Sequence, residues 1–396
     1  NVCFLQLSFK PMTQLRIPAV YMRGGTSKGV FFLANDLPVD LAARDRILLR
    51  VIGSPDRYGK HIDGMGGASS STSKVVLVSR SQRPDCDVDY LFGAVAVNKP
   101  VIDWSGNCGN LSAAVGPFAI HAGLLNAPAD GVATVRIWQA NIGRKILAHV
   151  PMLDGKVQEN GDFELDGVTF PAAEIRLEFL DPGACDDANG CNLFPTGSLV
   201  DTLMVPGLGG IPATLINAGN PTIFIEAGYL GLSGTELPAA VNGNPGLLAH
   251  AETIRAAGAV AMGLVSTAAE ATKTRPHTPK LVLVAPPDTY RASDGKQVMA
   301  ADIQLLVRIF SMGQLHHAMT GTGAVAIAAA MAIPGTMVQQ VATPAPAGQT
   351  CFGHPSGTFR VGAEAYETAD GWKVSKVIMS RSARILMEGW VRVPAD

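Results

Sequence analysis

The chain has 396 residues, 47% of them apolar and only 16% charged, with a formal net charge of −2. That length allows two ordinary domains with sizeable cores, and the low charge argues against a disordered arm. Near-neutrality gives no basis for a nucleic-acid or membrane-surface partner. Six cysteines (Cys3, Cys86, Cys108, Cys185, Cys191 and Cys351) are too sparse for a disulfide framework, which favours a reducing, cytoplasmic setting. Cys185 and Cys191 are close neighbours without a second ligand pair, so no metal site is read there.

Residues 1–11 precede Met12 and are read as an extension outside the fold. Strand-forming runs then follow at 17–22, 29–34, 74–79, 89–97, 133–140 and 145–152. Each is β-branched or aromatic-rich and bounded by Gly, Pro, Asn or Asp. Helices are expected over 40–52 and 110–122. The turn-rich stretch 180–198 is the best domain boundary, dividing an N-terminal lobe (12–185) from a C-terminal one (186–385). In the second half strands are expected at 213–218, 221–227, 280–287 and 357–366, and helices over 246–271, 301–312 and 323–332. A last strand near 386–394 is expected to return to the first lobe. Strands with a few inserted helices give an α+β class. The apolar run 324–333 is too short to span a bilayer and stops at Pro334, and no secretory signal is visible.

Two stretches repeat faintly. "CGNLSAAVG" begins at Cys108 and "TGTGAVAIA" at Thr320, each placing a small polar residue and a glycine at the head of a helix apolar on all sides. Such helices belong in a core.

Three familiar motifs fail. "GTSKG" (25–29) spells a nucleophile elbow, but strand-like "VFFLA" follows where a helix is required. The same stretch lacks the ending of a phosphate loop. "GTGAVA" (321–326) lacks the strand before it and the acid after it that a dinucleotide site needs. What remains is a set of loops rich in hydroxyls, cations and bare amides: "RGGTSKG" (23–29), "GMGGASSSTSK" (64–74), "NAGNP" (217–221), "RPHTPK" (275–280) and "GHPSGT" (353–358). Singly each is an ordinary turn. Together, with few acids among them, they suit a ligand carrying several carboxylates. Cys108 at a buried helix head is placed for a stabilised thiolate. Lys74, between a polar loop and a strand, can act as a general base if desolvated.

"YMRGGTSKGVFF", "DGMGGASSSTSK", "DWSGNCGN" and "GHPSGTFRVGAE" resemble the PrpF family of 2-methylaconitate isomerases, relatives of the cofactor-independent diaminopimelate epimerases and 4-oxalomesaconate tautomerases. "INAGNPTIFI" resembles the strand that opens the second half of those epimerases. The resemblance implies two pseudo-symmetric lobes, each a curved sheet around one helix, with the site between the two helix heads. The epimerases carry a cysteine at each head; here the second position is Thr320, whose hydroxyl is far too weak an acid for that role. A two-cysteine racemase is therefore disfavoured on chemical grounds.

The reading that follows is a cofactor-free and metal-free isomerisation of an unsaturated tricarboxylate, with Lys74 abstracting a proton and Cys108 stabilising or returning it. Arg23, Thr26, Ser27, Ser70, Ser71, Thr72 and Ser73 are expected to hold one carboxylate. Asn107, Gly109 and Asn110 are expected around the reacting centre, and Arg275, Ser311, Thr320, Gly321, Thr322, His354 and Ser356 around the remaining carboxylates. His316 and His317 read as packing or supporting groups. The family places such an enzyme in propionate breakdown through the 2-methylcitrate cycle, with a possible functional link to an aconitase-type dehydratase; a homodimer is compatible. Two alternatives stay open: an oxalomesaconate-type tautomerase, and a non-catalytic tricarboxylate-binding accessory protein.

Overall fold

Runs such as KVVLVSR and NPTIFIE cannot pack their branched side chains inside a helix without loss of rotamer freedom, and they form strands where the sequence predicts them. The computed structural model describes residues 14–183, 192–344 and 348–394; Cys3, Cys185 and Cys191 lie outside these.

The first half pairs its strands in the spatial order Gln14–Gly24, Ser27–Leu33, Lys74–Arg80, Val88–Val95, Gly131–Gln139, Arg144–Leu153 and Ile175–Leu180. The second half runs Gly209–Ala218, Asn220–Glu226, Lys280–Ala285, Leu305–Ser311, Gln349–His354, Gly357–Thr368 and Gly371–Arg381. Both halves follow one pattern: a tight antiparallel hairpin, a parallel neighbour, an antiparallel one, a second parallel one, then antiparallel strands. At the first parallel step Val30 pairs with Val75 in the first half, and Thr222 with Lys280 in the second half. The faint repeat in the sequence is thus a repeat in strand order. Ile175–Leu180 pairs with Gly371–Arg381 and makes one continuous sheet. The last strand, Ala383–Pro394, runs antiparallel along Gln14–Gly24.

Each half wraps one central helix. In Gly109–His121 every residue from Gly109 to Ala119 is buried, and in Gly321–Met331 every residue from Gly321 to Ala330. Burying Leu111, Val115 and Phe118 contributes about 1.5–3 kcal/mol each. The two helices share a single apolar core. Helices Leu41–Ile52 and Pro245–Ala261 cover the outer faces of the sheets.

Two expectations are corrected. Residues 301–312 are not helical: a short 3-10 turn at Ala300–Asp302 leads into strand Leu305–Ser311, buried along its whole length between two strands. An apolar run buried on both faces has no alternation to betray it. The single helix expected over 246–271 is two, Pro245–Ala261 and Ala268–Thr274. Gly263 at φ 69° stops the first, and Thr267 caps the second through the Glu270 N–H.

Candidate active site

The central helices meet head to head. A Cβ on Gly109 would lie 2.6 Å from the Gly321 carbonyl carbon, and one on Gly321 2.4 Å from the carbonyl carbon of Gly109. Only glycine lets the two backbones approach this closely. Both positive dipole ends, with their unpaired first-turn amides, therefore converge on one spot. Thr320 Oγ1 accepts from the Gly323 N–H, whereas Cys108 caps its helix without a side-chain hydrogen bond. Two like dipole ends in contact call for an anion between them.

Cations gather at the same place without acids to neutralise them. Lys74 is 5% exposed, and its Nζ lies 4.8 Å from the centre of the Phe92 ring. Lys280 is 1% exposed; its Nζ donates to Ser311 Oγ at 2.9 Å and to His277 Nδ1 at 3.1 Å. Burial, then the neighbouring Lys74, pulls the Lys280 ammonium down to about 7. Arg381 lies over Phe359 at 3.5 Å and donates from Nε to Asn110 Oδ1 at 3.0 Å; burial lowers it to about 9. Among the described residues none of these three cations makes an ion pair. The buried carboxylate of Asp103 is occupied by the backbone N–H groups of Ser105 and His277. His277 is held neutral by burial and by Lys280.

Asn107 is fully buried, and both polar atoms of its side chain lack a partner, so the amide is available to a ligand. Its backbone is fixed instead, by Asn220 at 2.8 and 3.0 Å and by His277 Nε2 at 3.2 Å. Asn220, in "NAGNP", also donates to Thr322 Oγ1 at 3.1 Å, so one side chain ties both helix heads together. Asn110 does the same from the other side, donating to Thr26 Oγ1 and to the Met319 carbonyl.

The remaining expected residues divide by position. Gly24 packs on the first central helix, so Arg23 beside it points to the opposite face, donating to the Gly25 and Ser382 carbonyls at 3.1 and 3.0 Å. Ser27 is buried at the hairpin start. Ser71 Oγ meets Ser69 Oγ at 3.0 Å and His317 Nδ1 at 3.5 Å, Thr72 Oγ1 meets Ser69 Oγ at 2.7 Å, and Ser73 Oγ meets His61 Nδ1 at 3.3 Å. Ser70 and Ser311 line a cavity of about 460 Å³ opening between the two halves, with Lys99 and Lys273 at its walls. Arg275 bonds Thr278 Oγ1, and its buried Nε has no partner. His354 turns inward, accepting from the Ser356 N–H, and burial pulls it down to about 3. Ser356 Oγ donates to the His317 carbonyl. His316 stacks on His317 at 4.6 Å and accepts from the Ala318 N–H.

Sequence reasoning missed Arg381, and it marked Lys280 and Asn220 only as members of the loops 275–280 and 217–221, not as site residues by themselves. For Lys280 a signal existed: it opens its strand as Lys74 opens the equivalent one. Among the described residues no three His, Cys, Asp or Glu side chains cluster as a metal site, and no helix is long and apolar enough to cross a membrane.

A family description, "PrpF protein", matches residues 14–394. A 2-methyl-aconitate isomerase of Cupriavidus necator is 60% identical over 390 residues, covering 97% of this chain and 98% of the relative. One of Shewanella oneidensis is 61% identical over 388 residues, covering 96% and 98%. A crystal structure titled methylitaconate-delta-isomerase superposes with a TM-score of 0.74 at 38% identity, covering 96% of each chain. Head-to-head helices, buried unpaired cations and a match running almost from end to end agree: the chain belongs to the PrpF family.

Proposed function

We propose that this protein is a cofactor-independent isomerase that converts 2-methyl-trans-aconitate to 2-methyl-cis-aconitate. The observation that carries the reading is the pairing of Lys74, buried and without an ion pair among the described residues, with two abutting helix heads whose amides await an anion. Two relatives near 60% identity that are named for this substrate support it.

In the proposed reaction the Lys74 amine takes a proton from the methylene carbon next to a carboxylate. The C–H electron pair spreads over the adjacent double bond and carboxylate as an allylic, enolate-type anion. The former double bond becomes briefly single and rotates, and the proton returns to the carbon that lost it. The helix-head amides, Cys108 and the Asn107 amide surround the developing charge in a water-poor setting, where fixed dipoles act most strongly. The hydroxyls of Thr26, Ser27, Ser70 and Ser71 and the Arg275 guanidinium are assigned to the outlying carboxylates. The place proposed for the enzyme is propionate catabolism in the cytoplasm, with a functional link to an aconitase-type dehydratase. The two lobes are proposed to divide near 185, with the last strand belonging to the first.

Proton NMR of purified protein with 2-methyl-trans-aconitate and 4-oxalomesaconate side by side tests this. Conversion of the first is expected to exceed that of the second. Lys74→Ala is expected to abolish turnover while a tricarboxylate still binds. Absence of turnover by the wild type would favour the accessory-protein reading instead.

A further inference from the structure

The mechanism above leaves the buried Lys280 unused. Lys280 stands where Lys74 stands, in the other half: each opens a strand that runs parallel to the second strand of a hairpin. Its Nζ is anchored from two sides, by Ser311 Oγ and His277 Nδ1. His277 Nε2 lies 3.2 Å from the Asn107 carbonyl and so carries the ring proton, which leaves Nδ1 as a pure acceptor. Lys280 therefore spends two N–H groups on the protein. An ammonium holds a third N–H, and among the described residues no protein acceptor meets it.

The charged groups facing it are the cations Lys74 and Arg255 and the acids Asp103 and Cys108, with the neutral His277 and His316 beside it. Asp103 makes no ion pair with Lys280, its oxygens being held by backbone amides. Burial acts most strongly and Lys74 next, and together they favour the neutral amine in the empty site. A ligand carrying three carboxylates reverses that balance.

Resting on the reading of the site as a polycarboxylate cradle, we propose that Lys280 receives one substrate carboxylate and gains a proton from solvent as the ligand binds. His277, by donating to Asn107 and accepting from Lys280, is the positioning residue that aims the third N–H. Substrate capture is then proton-coupled: one charge is created inside the protein only when there is an anion to meet it.

The test uses tricarballylate, a saturated tricarboxylate without a double bond to isomerise, and titration calorimetry at pH 8 in HEPES and in Tris. The difference between the buffers gives the protons taken up. Wild type is expected to take up close to one proton per site, and Lys280→Arg none while still binding. Because a buried arginine can disturb folding, wild type alone gives a second reading: the Kd for tricarballylate is expected to weaken about tenfold per pH unit between 8 and 9.5. A flat Kd, or uptake that survives in Lys280→Arg, overturns the proposal and leaves the polycarboxylate site standing. Failure of wild type to bind tricarballylate at all overturns both.

Discussion

Substituting alanine for Gly321 probes the contact on which the site is built. The new Cβ would sit 2.4 Å from the Gly109 carbonyl carbon, 2.6 Å from the Asn110 nitrogen and 2.7 Å from Gly109 Cα. Carbon atoms rest about 3.5–4.0 Å apart, so the heads must separate by about 1 Å. All three neighbours are backbone, and no rotamer change can relieve them. Gly321 is not in the left-handed region, so the effect is purely steric. Overpacking of this kind costs about 1–3 kcal/mol. A displacement of about 1 Å at a reacting centre lowers turnover by about 10²-fold. Thermal unfolding and NMR-monitored kcat/KM on 2-methyl-trans-aconitate measure the two effects. Gly228→Ala is the control, because that position faces open space without a positive φ. If Gly321→Ala matches the control in both melting and activity, the helix heads do not touch in the working protein and the argument for a shared anion site fails.

Asn107→Leu removes two buried polar atoms that have no partner while keeping the volume, so stability in urea is expected to be unchanged or higher, whereas kcat/KM falls about 10–100-fold. A loss of stability with full activity would contradict the assignment. Arg381→Met deprives Asn110 Oδ1 of its donor and is expected to destabilise the protein by about 1–3 kcal/mol in denaturant titrations and to raise KM; an unchanged KM would remove Arg381 from the site. His354 has a folded pKa of about 3 against an ordinary 6.5, so between those values the unfolded chain binds a proton that the folded one refuses. Stability is therefore lost as pH falls from about 6.5 towards 3, by at most about 1.4 kcal/mol per unit from this group. His354→Asn, which keeps an acceptor for the Ser356 N–H, is expected to flatten that acid limb in unfolding titrations between pH 6 and 4.

Much of the fold was legible because its strands carry their own chemistry: VVLVS, TIFIE and VRIWQ hold branched or aromatic residues wherever a sheet needs them. The two helix heads were legible because glycine beside a small polar residue before an all-apolar helix is rare. Leu305–Ser311 was misread because an apolar run buried on both faces has no period to show. The break at Gly263 was missed because alanine-rich sequence continues on both sides of it. In the site, local signals marked Lys74, Cys108 and the serine loop. Asn220 and Arg381 act on Asn107 and Asn110 across 113 and 271 residues, and no local pattern announces such a partnership. Arg23 shows the opposite limit. Motif spacing brought it forward, yet strand alternation turns its guanidinium to backbone carbonyls on the far face.

The strand Ala383–Pro394, paired residue by residue with Gln14–Gly24, has a consequence for biogenesis. On the ribosome, the N-terminal ladder emerges about 360 residues before the segment that completes it, roughly 20–70 s at ordinary elongation rates. During that interval one long edge of the nascent chain is open to mispairing, a hazard that chaperone holding or slow release must cover. Cutting the polypeptide at its midpoint would therefore not yield two autonomous halves, because the first owes its final stitch to the strand Ala383–Pro394.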